Sequence, residues 1–181
     1  MLSKYQRNQC LICFERLSNG ANFMQLLVYD DLICPECRSK FSVRVRQTKF
    51  NNYKLYSIYQ RNKWSDDLLR QYKDLGDEAL APVFLYPFIK KLKRRYKKFS
   101  IITTSSNNRQ PVGFDYMAKM FKECNFETND IAEWLNKSKE LEKNSEQILL
   151  VSDCLNKQLL NEAITLLKKH CQQIEILTVM I

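Results

Sequence analysis

Four of the seven cysteines stand in two C-x2-C pairs, Cys10-Leu-Ile-Cys13 and Cys34-Pro-Glu-Cys37, separated by twenty residues. Four thiolates at this spacing fit the window for a tetrahedral zinc site. Each pair folds into a knuckle that aims two sulfurs at one ion about 2.3 Å away. A full set of four leaves no coordination position open, so the expected Zn²⁺ is structural rather than catalytic. The other readings are a redox dithiol, which needs one such pair and not two, and unrelated buried cysteines. Phe14 and Arg38 follow the second cysteine of each pair, where knuckles commonly carry glycine. Cys124, Cys154 and Cys171 lie on apolar helical or strand segments and read as small core residues. An odd number of cysteines fits a secreted disulfide framework poorly, and close pairs in a reducing compartment are better explained by metal.

A second chemistry lies in Lys90-Lys91-Leu92-Lys93-Arg94-Arg95-Tyr96-Lys97-Lys98, seven cations in nine residues. On a helix Leu92 and Tyr96 share one face and dock on a core, while the cations fan over the rest. Such a surface tracks phosphates by counterion release, with Tyr96 partly available to stack on a base. An ordinary solvated face is the alternative, but those usually mix signs, and no acid occurs between Glu78 and Asp115. Arg44, Arg46 and Lys49 extend the same positive field, and Arg109 in a polar loop is a further candidate. Residues 1–100 carry 20 Lys/Arg against 9 Asp/Glu, whereas residues 101–181 carry 9 against 11. A one-sided field favours a polyanionic partner: DNA, RNA or an anionic membrane face. No nucleophile motif or Cys–His dyad is evident, so no catalytic residue is assigned. His170 reads as structural, and Trp64 and Trp134 as packing residues.

These groups need a scaffold. The chain has 181 residues, 45% apolar and 12% aromatic, enough for one core and a small accessory module. Residues 1–48 form the four-cysteine zinc-finger module, in which 26–33, LLVYDDLI, is expected to return as a strand to the first knuckle. Residues 49–181 form the second domain. Segment 53–60, YKLYSIYQ, predicts a strand. A helix is expected over 65–75, with Ser65 as N-cap, Asp66 and Asp67 at the positive end of its dipole, and Gly76 as stop. A second helix is expected over 82–97, with Pro82 in its first turn and a kink at Pro87. Then come a strand at 99–104, a polar loop at 105–111, a helix at 114–123 and a helix at 129–143. A buried strand at 147–152, a helix at 157–170 and a final strand, QIEILTVMI, complete the chain. This alternation predicts an α/β fold with a parallel sheet and helices on both faces. The first residues hold no apolar signal region, and no apolar run approaches the roughly 20 residues of a membrane helix, so a cytoplasmic location is expected.

The double C-x2-C, the aromatic strand and LLRQYKDLGDEAL at 68–80 together resemble the ComF family of late-competence proteins. That family has there a helix ending in an aromatic–Lys pair, then Gly-Asp. The basic stretch, the strand and loop at 101–109, Gly113-Phe114 and ILLVSDCLNKQLLNEAITLLKK at 148–169 continue the likeness in order. The resemblance implies a zinc finger joined to a type I phosphoribosyltransferase-like domain. It further implies DNA uptake in natural transformation, with single-stranded DNA and a helicase of the ComFA type as partners. The location implied is cytoplasmic, or peripheral at the membrane DNA-uptake machinery through those partners.

The chain departs from the family where enzyme chemistry would sit. The family's phosphoribosyl pyrophosphate loop begins with two adjacent acids, then Thr-Thr-Gly-x-Thr. Here Ser152-Asp153 keeps one acid, followed by Cys-Leu-Asn-Lys-Gln-Leu-Leu without glycine. A phosphate cradle needs inward backbone N–H groups, and glycine permits that close approach. Ser152, Asp153, Asn156 and Lys157 are therefore expected to form a vestigial site, with Asp115 standing where the family has an amide. Phosphoribosyl pyrophosphate and Mg²⁺ are not expected as cofactors. The expectation is a DNA-uptake protein with little or no transferase turnover. The rivals are an active phosphoribosyltransferase and a protein adaptor that does not touch DNA.

Overall fold

Ile148-Leu149-Leu150-Val151 and the run from Ile174 to Val179 pair as parallel neighbours within a six-stranded sheet. Their side chains alternate between two cores. Leu149, Val151, Leu177 and Val179 join one cluster, and Ile148, Leu150, Ile174 and Ile176 the other, so both sheet faces are covered. The computed structural model describes residues 9–17, 31–104, 115–140 and 147–181.

In chain order the elements are α1 (Pro35–Ser39), β1 (Ser42–Phe50), β2 (Tyr53–Gln60) and α2 (Lys63–Asp74), then two 3-10 segments (Glu78–Phe84 and Tyr86–Phe88). There follow α3 (Ile89–Arg95), β3 (Phe99–Thr103), α4 (Tyr116–Glu123), β4 (Asn129–Asp130), α5 (Ile131–Glu140), β5 (Gln147–Ser152), α6 (Lys157–Leu167) and β6 (Gln173–Met180). The sheet order is β1-β2-β6-β5-β3-β4, with β1 antiparallel to β2 and the other pairs parallel. The architecture is α/β with a mostly parallel sheet. Leu68 and Tyr72 of α2, Phe84, Leu92 of α3 and Met117 of α4 cover the first face. Trp134 of α5 and Leu160 and Ile164 of α6 cover the second.

Several local expectations need correction. The cap of α2 is Asn62, whose side chain accepts from the Ser65 N–H at 2.8 Å while the Asn62 N–H donates to Ser65 Oγ at 3.1 Å. Ser65 is thus the return half of a capping box, three residues inside the cap. The single helix expected over 82–97 is broken into two 3-10 segments and α3. Pro82 and Pro87 lack the N–H an α-helix needs and bias the preceding residue away from helical geometry. Residues 129–130 pair with β3 as a short strand before α5 begins. Cys154 lies in the β5–α6 loop and is half-buried, not on a core segment.

The strand β1 has no counterpart among the expected elements, although Val43 and Val45 alternating with Arg44 and Arg46 carry its two-residue period. It turns into β2 through Asn51-Asn52, where Asn51 takes φ 52°, a left-handed conformation asparagine tolerates. The junction placed between 48 and 49 falls inside β1. The strand expected at 26–33 has 26–30 outside the described residues, and 31–33 are not extended into one. The polar loop at 105–111, Gly113-Phe114 and residues 141–143 also lie outside the described residues.

Candidate metal centre and nucleic-acid interface

Both knuckles are built by backbone groups folding onto sulfur. The N–H groups of Ile12 and Cys37 point at Cys10 Sγ and Cys34 Sγ, each at 3.4 Å. Phe14 N–H returns to the Cys10 carbonyl at 3.0 Å, and Arg38 N–H to the Cys34 carbonyl at 2.9 Å. Cys34 caps α1, with Pro35 in its first turn. The Cys10 N–H donates to the Glu15 carbonyl at 2.8 Å, and Leu11 N–H to the Leu32 carbonyl at 3.1 Å, which brings the pairs together. All four sulfurs lie within 4.8 Å of one another, with Cys13 Sγ and Cys34 Sγ 3.7 Å apart. A tetrahedron of sulfurs around zinc has edges of about 3.8 Å. The four cysteines could hold a metal ion, and the arrangement is compatible with structural zinc. Burial opposes ionisation of Cys10, but backbone N–H groups of Cys13, Cys34 and Ile12 outweigh it and lower the thiol to about 7. Burial and the neighbouring sulfurs push Cys37 up.

The residues in the usual glycine places behave differently. Phe14 sits at φ 61°, the left-handed conformation that glycine adopts freely, and its ring is 71% exposed. Arg38 instead clamps the module to the sheet. Its guanidinium meets Asp31 in a fork with two 2.7 Å contacts, donates to the Val83 carbonyl at 3.1 Å and to Tyr59 Oη at 3.3 Å. It also lies 4.9 Å from the centre of the Phe41 ring. Neither the Arg38 clamp nor Asp31 follows from the sequence. The only local signal is an arginine where a small residue is usual.

The basic segment is exposed along its length: Lys90, Lys91, Lys93, Arg94, Arg95, Lys97 and Lys98 all face solvent. Leu92 and Tyr96 turn inward, 7% and 4% exposed. Among the described residues no carboxylate pairs with these cations except at Arg95. Arg95 is 3.5 Å from Glu175 Oε2, lies 4.0 Å from the Tyr56 ring centre and donates to Tyr56 Oη. Glu175 is buried in the sheet and also meets Lys54 at 3.4 Å. Lys93 Nζ stands 5.4 Å from the Phe126 ring centre. Arg44 and Arg46 on β1 are likewise exposed, and Lys49 is exposed near its end. Arg109 lies outside the described residues.

The loop after β5 is closed upon itself. Ser152 Oγ donates to the Cys154 carbonyl at 2.9 Å, Asp153 Oδ1 accepts from the Cys154 N–H at 2.8 Å, and Asn156 Oδ1 caps α6 by accepting from the Leu159 N–H at 3.1 Å. The Cys154 and Leu159 N–H groups are thus both bonded to side chains of this loop. Lys157 begins α6 and is exposed. Asp153 Oδ2 is held by Lys73 Nζ at 2.8 Å. Burial alone would raise the Asp153 carboxyl, but Lys73, the Tyr116 side chain and the Cys154 thiol outweigh it and lower it. Lys73 also lies 4.8 Å from the Tyr116 ring centre. Asp115 is committed too: it caps α4 through the Met117 and Ala118 N–H groups and accepts from Thr103 Oγ1 at 3.1 Å. The sequence assigns Lys73 no role of its own, though it belongs to the aromatic–Lys pair at the end of α2.

No helix among the described residues is long and apolar enough to cross a membrane. Compared with known proteins, the chain matches no protein-family model and no curated protein sequence.

Proposed function

We propose that this chain is a ComF-like DNA-uptake protein that binds single-stranded DNA through the cationic surface of α3 and its flanks, with little or no transferase turnover. In this reading zinc is the ion at Cys10, Cys13, Cys34 and Cys37, and the sheet is a phosphoribosyltransferase-like scaffold. A ComFA-type helicase is its partner. One observation carries the reading: six cations of residues 90–98 stand exposed without acidic partners among the described residues, while Leu92 and Tyr96 anchor the segment. The self-bonded loop at 152–156, its one acid engaged by Lys73, supports the loss of the enzymatic role. The order of motifs supports the family.

Titrating the chain with a single-stranded oligonucleotide at several salt concentrations tests this. The logarithm of affinity should fall linearly with the logarithm of salt, by about 0.7 per phosphate neutralised. Replacing Lys93, Arg94 and Lys97 with alanine should flatten the slope by roughly 2. An unchanged affinity and slope would remove α3 as the DNA surface. Phosphoribosyl pyrophosphate with Mg²⁺ should not compete, and tight binding lost in Asp153→Asn would establish the transferase reading instead. Metal analysis should return one zinc per chain.

A further inference from the structure

Beside α3 the first face of the sheet is not fully closed. A cavity of about 200 Å³ lies between β1, β2 and β6 on one side and α3 with its preceding turn on the other. Val45, Ile58, Phe88 and Leu92 give it apolar walls, Tyr56 and Tyr96 give it aromatic ones, and Lys91 and Arg95 bring positive charge to it. Val45 is 47% exposed and Lys91 is exposed, so the cavity reaches the surface between β1 and α3. The β1 irregularity between Val43 and Arg46 lies beside it, where β1 departs from regular pairing with β2. The Tyr96 hydroxyl is closed off from solvent, so the cavity meets that residue through its ring.

We infer that this cavity takes one unpaired nucleobase from the strand whose phosphates lie on α3. The inference rests on the nucleic-acid reading above and sharpens it. The size sets how much can enter. A protein cavity of about 150 Å³ is enough for a benzene ring, so about 200 Å³ open to solvent on one side has room for one nucleobase and not for two. The charge decides the company it keeps. Lys91 at the cavity belongs to the cations of 90–98 without acidic partners among the described residues, while Arg95 is countered by Glu175, so a base entering here has its own phosphates beside matching charge. A base in a duplex is stacked and paired and cannot enter without being flipped out, so the cavity selects single strands.

The experiment compares the intact full chain and Val45→Trp, which fills the cavity from its exposed side, on oligo-dT and on an abasic oligonucleotide of equal length at one salt concentration. The intact chain should prefer oligo-dT by roughly tenfold or more, the scale of base–aromatic stacking. Val45→Trp should bring oligo-dT down to the abasic affinity and leave the abasic affinity and the salt slope unchanged. Circular dichroism checks that the variant folds. Independently, a strand carrying 5-iododeoxyuridine should cross-link under ultraviolet light to Tyr56 or Tyr96. Equal binding of oligo-dT and abasic strands, or cross-links confined to residues away from both tyrosines, would overturn the base pocket while leaving the phosphate surface standing. Loss of all binding to both strands in the intact chain would remove the nucleic-acid reading itself. Competitive displacement of oligo-dT by a tighter-binding acidic peptide bearing one aromatic side chain would overturn the pocket in favour of a protein partner.

Discussion

Replacing Arg38 with alanine should loosen the cysteine module from the sheet. The substitution removes two charge-assisted bonds to Asp31 at 2.7 Å, one to the Val83 carbonyl and one to Tyr59 Oη. Side-chain exposure is 16% for Arg38 and 11% for Asp31, so water replaces these bonds poorly. Breaking such a pair from one side costs about 3–5 kcal/mol, mainly because a charge is left buried and unpaired. The lower end applies here. Leu32 N–H still donates to Asp31 at 2.7 Å, and Tyr59 Oη keeps its own bond to the Phe84 carbonyl at 3.0 Å. A loss of about 3 kcal/mol is therefore expected in urea unfolding of the metal-loaded chain, with faster metal release to a chromogenic chelator. Replacing both partners, Arg38→Met with Asp31→Leu, should recover much of the loss, since apolar residues of similar volume carry no desolvation penalty. The cycle should then show a coupling above about 1 kcal/mol. A loss below about 1 kcal/mol in Arg38→Ala, with metal release unchanged, would refute the clamp and leave the metal alone holding the module.

Phe14→Gly should stabilise the metal-loaded chain by about 0.5–1 kcal/mol, because relief of the left-handed strain exceeds the added freedom of the unfolded chain. A midpoint that falls in urea unfolding would mean the exposed ring makes a contact worth more than the strain. The lowered Asp153 carboxyl has a pH signature: its stabilisation is present above about pH 3.9, the unfolded value, and is lost as pH falls through its lower folded value. Lys73→Gln should lower the melting temperature at pH 7 and weaken this acid dependence. Superimposable melting-temperature curves for the two chains would show that the pair contributes nothing.

Local rules carried much of the fold and some of the candidate sites. The strands at 53–60 and 147–152 and the helix from 157 were legible because unbroken apolar or aromatic runs and a helical period leave one reading. The cysteine cluster was legible because ligand spacing is itself a geometric constraint. The inward turn of Leu92 and Tyr96 followed from their separation of four. Other features depend on partners far along the chain. Lys73 meets Asp153 across 80 residues, and Lys54 meets Glu175 across 121. No local pattern announces such pairs. Pro82 misled in another way: the apolar period around it belongs to a largely buried 3-10 segment, in which helical spacing has no amphipathic meaning. β1 was hidden because its basic and apolar alternation was absorbed into the metal module, and because its outer half is exposed on both faces.

The segment that carries the positive charge is only seven helical residues long, too short to persist in water by itself. It keeps its shape because Leu92 and Tyr96 are sunk into the core and Arg95 is moored to Tyr56 and Glu175. The backbone that carries the cations is consequently set in place, so a ligand of the proposed kind would find little main chain left to order on contact. Cut out as a free peptide, the same nine residues would keep their charge and lose their arrangement.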